Sequence, residues 1–194
     1  MLDLRSILAG RGIQGIAMRC GRVGRRWAFN QMYKSGKWLF DDRGEDLIAA
    51  IEQYAHNGHI LAFGCGTASI LSHLNPDAFE DALGVDLSPV AIAIAKRKYE
   101  SPKIHFLVGD MLEYSFQHPV DVILFSESLN YIKLSLCEAF LKRARENLTA
   151  TGRIVATIAH PRRHAAHIEL VKRAFQITKE GRLGGSERYF VVFR

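Results

Sequence analysis

Short apolar segments alternate with amphipathic segments along most of the chain. Five apolar runs predict buried strands, and apolar residues at helical spacing predict helices between them. The strand runs are HILAF from residue 59, ALGVD from 82, KIHFLV from 103, VDVILF from 120 and RIVATIA from 153. The helical segments are DDRGEDLIAAIEQYA from 41, VAIAIAKRKY from 90, SLCEAFLKRARENL from 135 and HAAHIELVKRAF from 164. This alternation predicts an α/β fold with a doubly wound, mostly parallel sheet.

Three local signals refine this pattern. The segments FQITKEG and ERYFVVF, around residues 184–185, have no helix between them and are predicted to be an antiparallel pair. A short helix is predicted from the glycine turn at residues 64–66 through Leu74, where Asn75-Pro76 ends it. Ser88-Pro89 predicts a helix start, since serine caps free backbone N–H groups and proline suits the first helical position.

The composition indicates one globular domain. The chain has 194 residues, of which 48% are hydrophobic, and it contains no internal repeat and no apolar run near the ~20 residues of a membrane span. Its three cysteines, Cys20, Cys65 and Cys137, are far apart and form no C-x-x-C pair. We therefore expect a cytoplasmic protein without a disulfide framework and without a metal site.

The net charge of +6 is concentrated at the N-terminus. Residues 1–40 contain eight arginines and lysines against Asp3 alone, so the remainder of the chain is close to neutral. A near-neutral domain argues against a nucleic-acid partner. We predict a basic extension or lid at 1–40 and one folded domain at 41–194. The apolar stripe from Ile13 to Trp27 predicts a marginal amphipathic helix that packs on the domain or touches a membrane surface.

Candidate ligand contacts follow the carboxyl ends of the predicted strands, where doubly wound sheets bind ligands. Asp86 lies 20 residues beyond Gly66, the spacing at which an acid accepts hydrogen bonds from ribose hydroxyls. Asp110 could accept a hydrogen from an adenine amino group, and Met111 could pack on the ring. The full set of predicted cofactor contacts is Gly64, Cys65, Gly66, Asp86, Leu87, Asp110, Met111 and Ser126.

The same residues disfavour a phosphorylated cofactor. Two acids in one crevice repel phosphates, Ser69 occupies the sixth position of the dinucleotide motif, and no P-loop lysine follows the turn. Adenosine without phosphate fits better, and S-adenosylmethionine is the common ligand of that kind.

With these residues the chain resembles the class I S-adenosylmethionine-dependent methyltransferases. Their first motif has an acid before G-C-G-x-G, whereas this chain reads ILAFGCGTA, with Ala62 for the acid and Ala68 for the last glycine. The resemblance implies a seven-stranded Rossmann-like fold over residues 41–194. It also implies that residues 64–66 lie under the methionine part of S-adenosylmethionine. The two replacements leave a non-catalytic cofactor-binding subunit or regulator as the alternative to an enzyme.

The segment FSESLNYI after the fourth strand indicates the class of acceptor. It lacks the N-P-P-Y tetrad of nucleic-acid methyltransferases and is similar to the S-E-x-L-x-Y run of small-molecule enzymes such as the nodulation N-methyltransferases. The resemblance implies methyl transfer to an oxygen or nitrogen of a small molecule, with a saccharide among the candidates. The oligomeric state stays open.

Catalytic and acceptor residues are predicted from position and chemistry. Glu127 is the candidate for orienting or deprotonating the acceptor, although it could instead cap the next helix or contact the cofactor, and Tyr131 could share its pocket. His160 is the alternative base, because its ordinary pKa suits proton transfer near neutrality. Tyr33 and Trp38 are predicted acceptor contacts. His164 and His167 are expected to be exposed to solvent.

Overall fold

The computed structural model describes residues 21–36, 44–184 and 186–194, and its centre is one seven-stranded sheet. The strand order is β3-β2-β1-β4-β5-β7-β6, and β7 runs opposite to the other six strands. The strands are β1 His59–Phe63, β2 Asp81–Asp86, β3 Ile104–Val108, β4 Val120–Ser126, β5 Leu148–Ile158, β6 Ile177–Arg182 and β7 Tyr189–Phe193. The predicted Rossmann-like fold, with its antiparallel last pair, is therefore confirmed.

Helices cover both faces of the sheet. They are α1 Arg22–Lys34, α2 Glu45–Ala55, α3 Pro89–Tyr99, α4 Leu134–Glu146 and α5 Ala165–Ala174. Residues of α2 and α3 belong to one buried apolar cluster, and residues of α4 and α5 belong to the other. Because β1 and β4 are buried between these two layers, almost every position in them is apolar, as the sequence shows.

The predicted helix after the glycine turn is wrong. The chain forms two single 3₁₀ turns instead, Leu71–His73 and Pro76–Ala78. Ala68 has a φ of +66°, which is incompatible with a right-handed helix continuing from the turn. The side chain of Asn75 then accepts a hydrogen bond from the backbone N–H of Asp77 and caps the second turn.

Helix α1 carries the described part of the basic N-terminal extension. It packs against α3, burying Ala28 and Met32, while Val23 and Trp27 on its outer face are 83% and 49% exposed. Residues 13–20 of the apolar stripe and the boundary at residue 40 lie outside the described residues. Among the described helices, none is both long and apolar enough to cross a membrane.

Candidate active site

A cavity of about 690 Å³ opens at the carboxyl ends of the parallel strands, at the point between β1 and β4 where the strand order reverses. This volume lies in the range that holds a small molecule. All eight residues predicted as cofactor contacts line it, namely Gly64, Cys65, Gly66, Asp86, Leu87, Asp110, Met111 and Ser126. Glu127, Tyr131, His160 and Tyr33 line the same cavity, whereas Trp38 lies outside the described residues.

The turn after β1 requires glycine at two positions. Gly64 and Gly66 have φ values of +66° and +55°, in the left-handed region that favours glycine. A Cβ on Gly64 would lie 2.4 Å from the Cβ of Ser128, and a Cβ on Gly66 would lie 2.8 Å from the hydroxyl of Tyr33. Neither position therefore has room for a side chain, because Ser128 and Tyr33 already fill the space beside the turn.

Asp86 is buried at the end of β2 and holds this turn in place. Its carboxylate accepts hydrogen bonds from the backbone N–H groups of Gly66 at 2.9 Å and Ser88 at 2.8 Å. Burial raises the pKa of Asp86 to about 6, although the two hydrogen bonds oppose the shift. A carboxylate with two fixed donors keeps further lone pairs, which suits it to ribose hydroxyls.

Ser88 connects the Asp86 loop to α1. Its hydroxyl accepts a hydrogen bond from the backbone N–H of Ala91, as the predicted helix cap requires, and donates one to the side chain of Asn30 at 2.6 Å. Ser88 is completely buried, so this bond is shielded from water. Helix α1 is thereby attached directly beside residues that are predicted to contact the cofactor.

Two ion pairs also attach α1 to the loop after β3. Asp110 accepts a hydrogen bond from the backbone N–H of Leu112, and its second oxygen lies 3.3 Å from the guanidinium of Arg25. Arg22, one helical turn before Arg25, pairs with Glu113 in the same loop. The carboxylate predicted to meet adenine is therefore already partnered by a cation of the N-terminal helix.

Aromatic residues of α1 form one wall of the cavity. Tyr33 lies beside Gly66, and its pKa is raised well above the ordinary value, first by burial and then by the charge of Asp86. The ring of Phe29 meets Tyr131 edge to face, with 5.2 Å between the ring centroids. The structure thus brings Tyr33 close to residues predicted for the cofactor. Phe29 instead contacts Tyr131, which is predicted for the acceptor.

Glu127 begins the loop after β4 in a strained conformation. Its φ is +50°, and its backbone N–H donates to the carbonyl and the hydroxyl of Thr157, each at 3.1 Å. Burial raises the pKa of the Glu127 carboxyl, while the Nε of Arg188 lies 2.9 Å from one of its oxygens. His160 also has a positive φ, +53°, and is exposed at the rim of the cavity.

Sequence reasoning missed Arg188 and misjudged His167. Because β7 is antiparallel, its first residues lie at the edge where the parallel strands end, and this brings Arg188 to Glu127. His167 is buried, with its Nε2 2.9 Å from the carbonyl of Ile132, so the expectation that it is exposed to solvent is wrong. His164 is half-buried and lines the cavity.

Asn130 is a further polar residue in this cavity. It lies in the 3₁₀ turn Leu129–Tyr131 and is only 8% exposed, and its Oδ1 has no hydrogen-bond partner within the described part of the chain. A buried amide oxygen without a partner is costly, and a bound ligand with an N–H or O–H group would supply one. The same residues, 21–36, 44–184 and 186–194, contain no cluster of His, Cys, Asp or Glu arranged for a metal ion.

Comparisons with known proteins agree with this arrangement. Residues 60–152 match the family described as "Methyltransferase domain". No curated protein matches the chain. The N-methyltransferase NodS from Bradyrhizobium japonicum WM9, in complex with S-adenosyl-L-homocysteine, has 19% identity and a TM-score of 0.66 over 81% of this chain and 90% of its own.

Two other solved structures share the fold. A S-adenosylmethionine-dependent methyltransferase from Clostridium acetobutylicum ATCC 824 has 14% identity and a TM-score of 0.66, covering 88% of this chain and 98% of its own. A complex of the Haloferax volcanii Trm112 methyltransferase activator and a putative methyltransferase gives 14% identity and a TM-score of 0.68, covering 87% of this chain and 96% of the other.

Proposed function

We propose that the chain is a class I S-adenosylmethionine-dependent methyltransferase that methylates an oxygen or nitrogen of a small molecule, with a saccharide among the candidates. The observation that carries the proposal is a cavity of about 690 Å³ that brings both sets of predicted residues together. It has the glycine turn and Asp86 on one side and Glu127 with Tyr131 on the other. Such a cavity aligns two reactants, which is the main requirement of methyl transfer.

The cofactor residues divide according to their chemistry. We assign the turn at residues 64–66, with Ser126, to the methionine part, Asp86 and Leu87 to the ribose, and Asp110 with Met111 to the adenine. When bound, S-adenosylmethionine supplies a methyl group made electrophilic by a positively charged sulfur. The chain's own contribution is to hold the acceptor in line with that group and to keep water out, and the wall formed by Tyr33 and Phe29 supports this role.

Glu127 is the proposed base. Its carboxylate would accept the proton that an acceptor hydroxyl or ammonium loses, and burial moves its pKa upward, toward the range that suits proton transfer. Arg188 beside it favours the ionised form, which is the form that accepts a proton. Tyr131 would orient the acceptor, and His160 at the rim is the second candidate base.

Three observations support a small acceptor over a macromolecule. The cavity is partly covered by α1, its volume is that of a small-molecule site, and Asn130 supplies an unsatisfied acceptor oxygen for an N–H or O–H group. The related solved structure of NodS is described as an N-methyltransferase, which favours nitrogen as the methylated atom. Trp38 remains a proposed acceptor contact on sequence grounds.

A non-catalytic cofactor-binding subunit is the second candidate. The buried Ala62 in place of the family's acid favours it, and the Haloferax volcanii complex pairs a methyltransferase of this fold with an activator. This candidate predicts cofactor binding without turnover by the chain alone.

The deciding experiment combines calorimetry of S-adenosylhomocysteine with mass spectrometry of candidate amines and sugars after incubation with labelled S-adenosylmethionine. We expect Glu127→Gln to lower turnover by about 100-fold, the usual contribution of a general base, at unchanged affinity for S-adenosylhomocysteine. Glu187→Gln is the matched control, because Glu187 also lines the cavity but is exposed. Binding without methylation of any acceptor would favour the non-catalytic subunit, and equal turnover in wild type and Glu127→Gln would remove Glu127 from the mechanism.

A further inference from the structure

A turn after β5 brings an arginine and two histidines to the lining of the cavity. The carbonyl of His160 accepts hydrogen bonds from the backbone N–H groups of Arg163 at 2.9 Å and His164 at 3.2 Å. This tight turn directs the side chains of all three residues to the lining of the cavity, whereas Arg162 does not contribute to the lining. One short segment therefore supplies a permanent positive charge and two imidazoles to one end of the site.

Four carboxylates line the cavity, and three of them are already occupied: Asp86 accepts backbone N–H groups, and two others form ion pairs. The fourth, Glu187, is exposed. Glu127 pairs with Arg188, and Asp110 pairs with Arg25 at the opposite end. Arg163 has no carboxylate within ion-pair distance among residues 21–36, 44–184 and 186–194. The guanidinium of Arg163 thus faces the cavity with its charge uncompensated by those residues.

The environment of His164 is consistent with an excess of positive charge there. Its pKa is lowered, first by burial and then by His167, Arg163 and His160. Arg163, which is permanently charged, thus adds to burial in disfavouring the charged form of His164. An anionic ligand group would relieve this repulsion.

We propose that Arg163, flanked by His160 and His164, binds a carboxylate or phosphate group on the methyl acceptor. This inference rests on the proposed function, because it assigns a chemical class to the same acceptor. A guanidinium binds either group through two parallel N–H···O bonds, which fixes orientation as well as position. Held in this way, the acceptor is fixed at one end within the cavity that Glu127 also lines.

The test uses the protein saturated with S-adenosylhomocysteine and titrates inorganic phosphate, then acetate, at constant pH and ionic strength. The imidazole proton resonances of His160 and His164 report binding. We expect saturable shifts in wild type and in Arg162→Gln, and binding at least about tenfold weaker in Arg163→Gln, since a charge-assisted bidentate pair is lost. Arg162 is the matched control because it is adjacent, exposed and equally charged but does not line the cavity.

Two results would overturn the inference: shifts that never saturate in wild type, or equal weakening in Arg162→Gln and Arg163→Gln, which would indicate general charge attraction. Arg163→Lys should recover part of the affinity, and this separates lost recognition from damaged folding. A protein that binds S-adenosylhomocysteine but no phosphate or acetate contradicts only this inference. A protein that does not bind S-adenosylhomocysteine contradicts the proposed function itself.

Discussion

The buried carboxyl of Asp86 should make cofactor binding depend on pH. In the free protein its pKa is about 6, because burial disfavours the charge. Ribose hydroxyls that donate to the carboxylate favour the ionised form, so bound cofactor should move this pKa back toward the ordinary 3.8. Binding below pH 6 must then release a proton, and the cost of releasing it weakens the observed affinity.

The size of the effect follows from these two pKa values. If the pKa in the complex is about 4, the affinity for S-adenosylhomocysteine should fall about tenfold, or about 1.4 kcal/mol, between about pH 7 and about pH 5. This range avoids the titration of the cofactor's own amino group, near pH 8, and of its carboxyl group, below about pH 4. Calorimetry in two buffers of different ionisation enthalpy would count the released protons directly.

Asp86→Asn separates this carboxyl from the other titratable groups of the cavity. The amide cannot titrate, and it cannot accept both backbone N–H bonds, so we expect affinity about 1–3 kcal/mol weaker but constant over the same pH range. Glu127→Gln is the control, because the pKa of Glu127 is also raised and this variant should retain the full dependence. Wild-type affinity that is equal at both pH values, or a tenfold fall that persists in Asp86→Asn, would refute the assignment of Asp86 to the ribose.

The folding stability of the free protein should depend on pH in the opposite direction to its affinity for the cofactor. A carboxyl whose pKa is higher in the folded than in the unfolded state stabilises the fold at low pH and loses that contribution as pH rises through the folded-state value. For Asp86 the loss should fall between about pH 4 and pH 6 and amount to at most about 3 kcal/mol. Urea denaturation of the free protein across this range should show it, and Asp86→Asn should not.

Three further predictions concern the turn and the base. Gly64→Ala should weaken S-adenosylhomocysteine binding by about 100-fold or more through clash and strain, whereas Gly181→Ala, in open space, should not change it in calorimetry. Ala62→Asp should lower the free energy of unfolding by about 2–3 kcal/mol in urea denaturation, because the site is apolar and its adjoining cavity is only about 20 Å³; an equally stable variant would contradict this. Arg188→Met should shift the acidic limb of the pH–kcat/KM profile to higher pH by about one pH unit, because the cation that favours ionised Glu127 is lost while the effect of burial remains. An unchanged profile would remove Arg188 from catalysis.

Much of the fold could be predicted from local pattern. β1 has the predicted bounds, His59–Phe63, because a strand buried on both faces is a continuous apolar run ended by a turn. Ser88 caps α3 as predicted, because capping involves only residues three apart. The glycine turn and the acids after β2 and β3 were also identifiable, since parallel strands bring their carboxyl ends to one edge.

The prediction of a helix after the glycine turn was wrong because Ala68 adopts a left-handed conformation. Ala68 stands where the family's first motif has glycine, and its φ of +66° shows that this position keeps the left-handed conformation although an alanine by itself favours a helix. Likewise, His167 has the neighbours of a surface residue along the chain. It is buried because α5 packs beside the loop that contains Ile132.

The sequence by itself determined which segments form strands and helices, and which polar residues follow the strand ends, because both depend on residues close together along the chain. Only the tertiary structure decided how those residues are partnered. Arg188 reaches Glu127 because β7 is antiparallel and inserted next to β5, and Arg25 reaches Asp110 because α1 packs beside α3. These pairs join distant parts of the chain, so their geometry depends on strand order and helix packing, which local patterns of hydrophobicity do not specify.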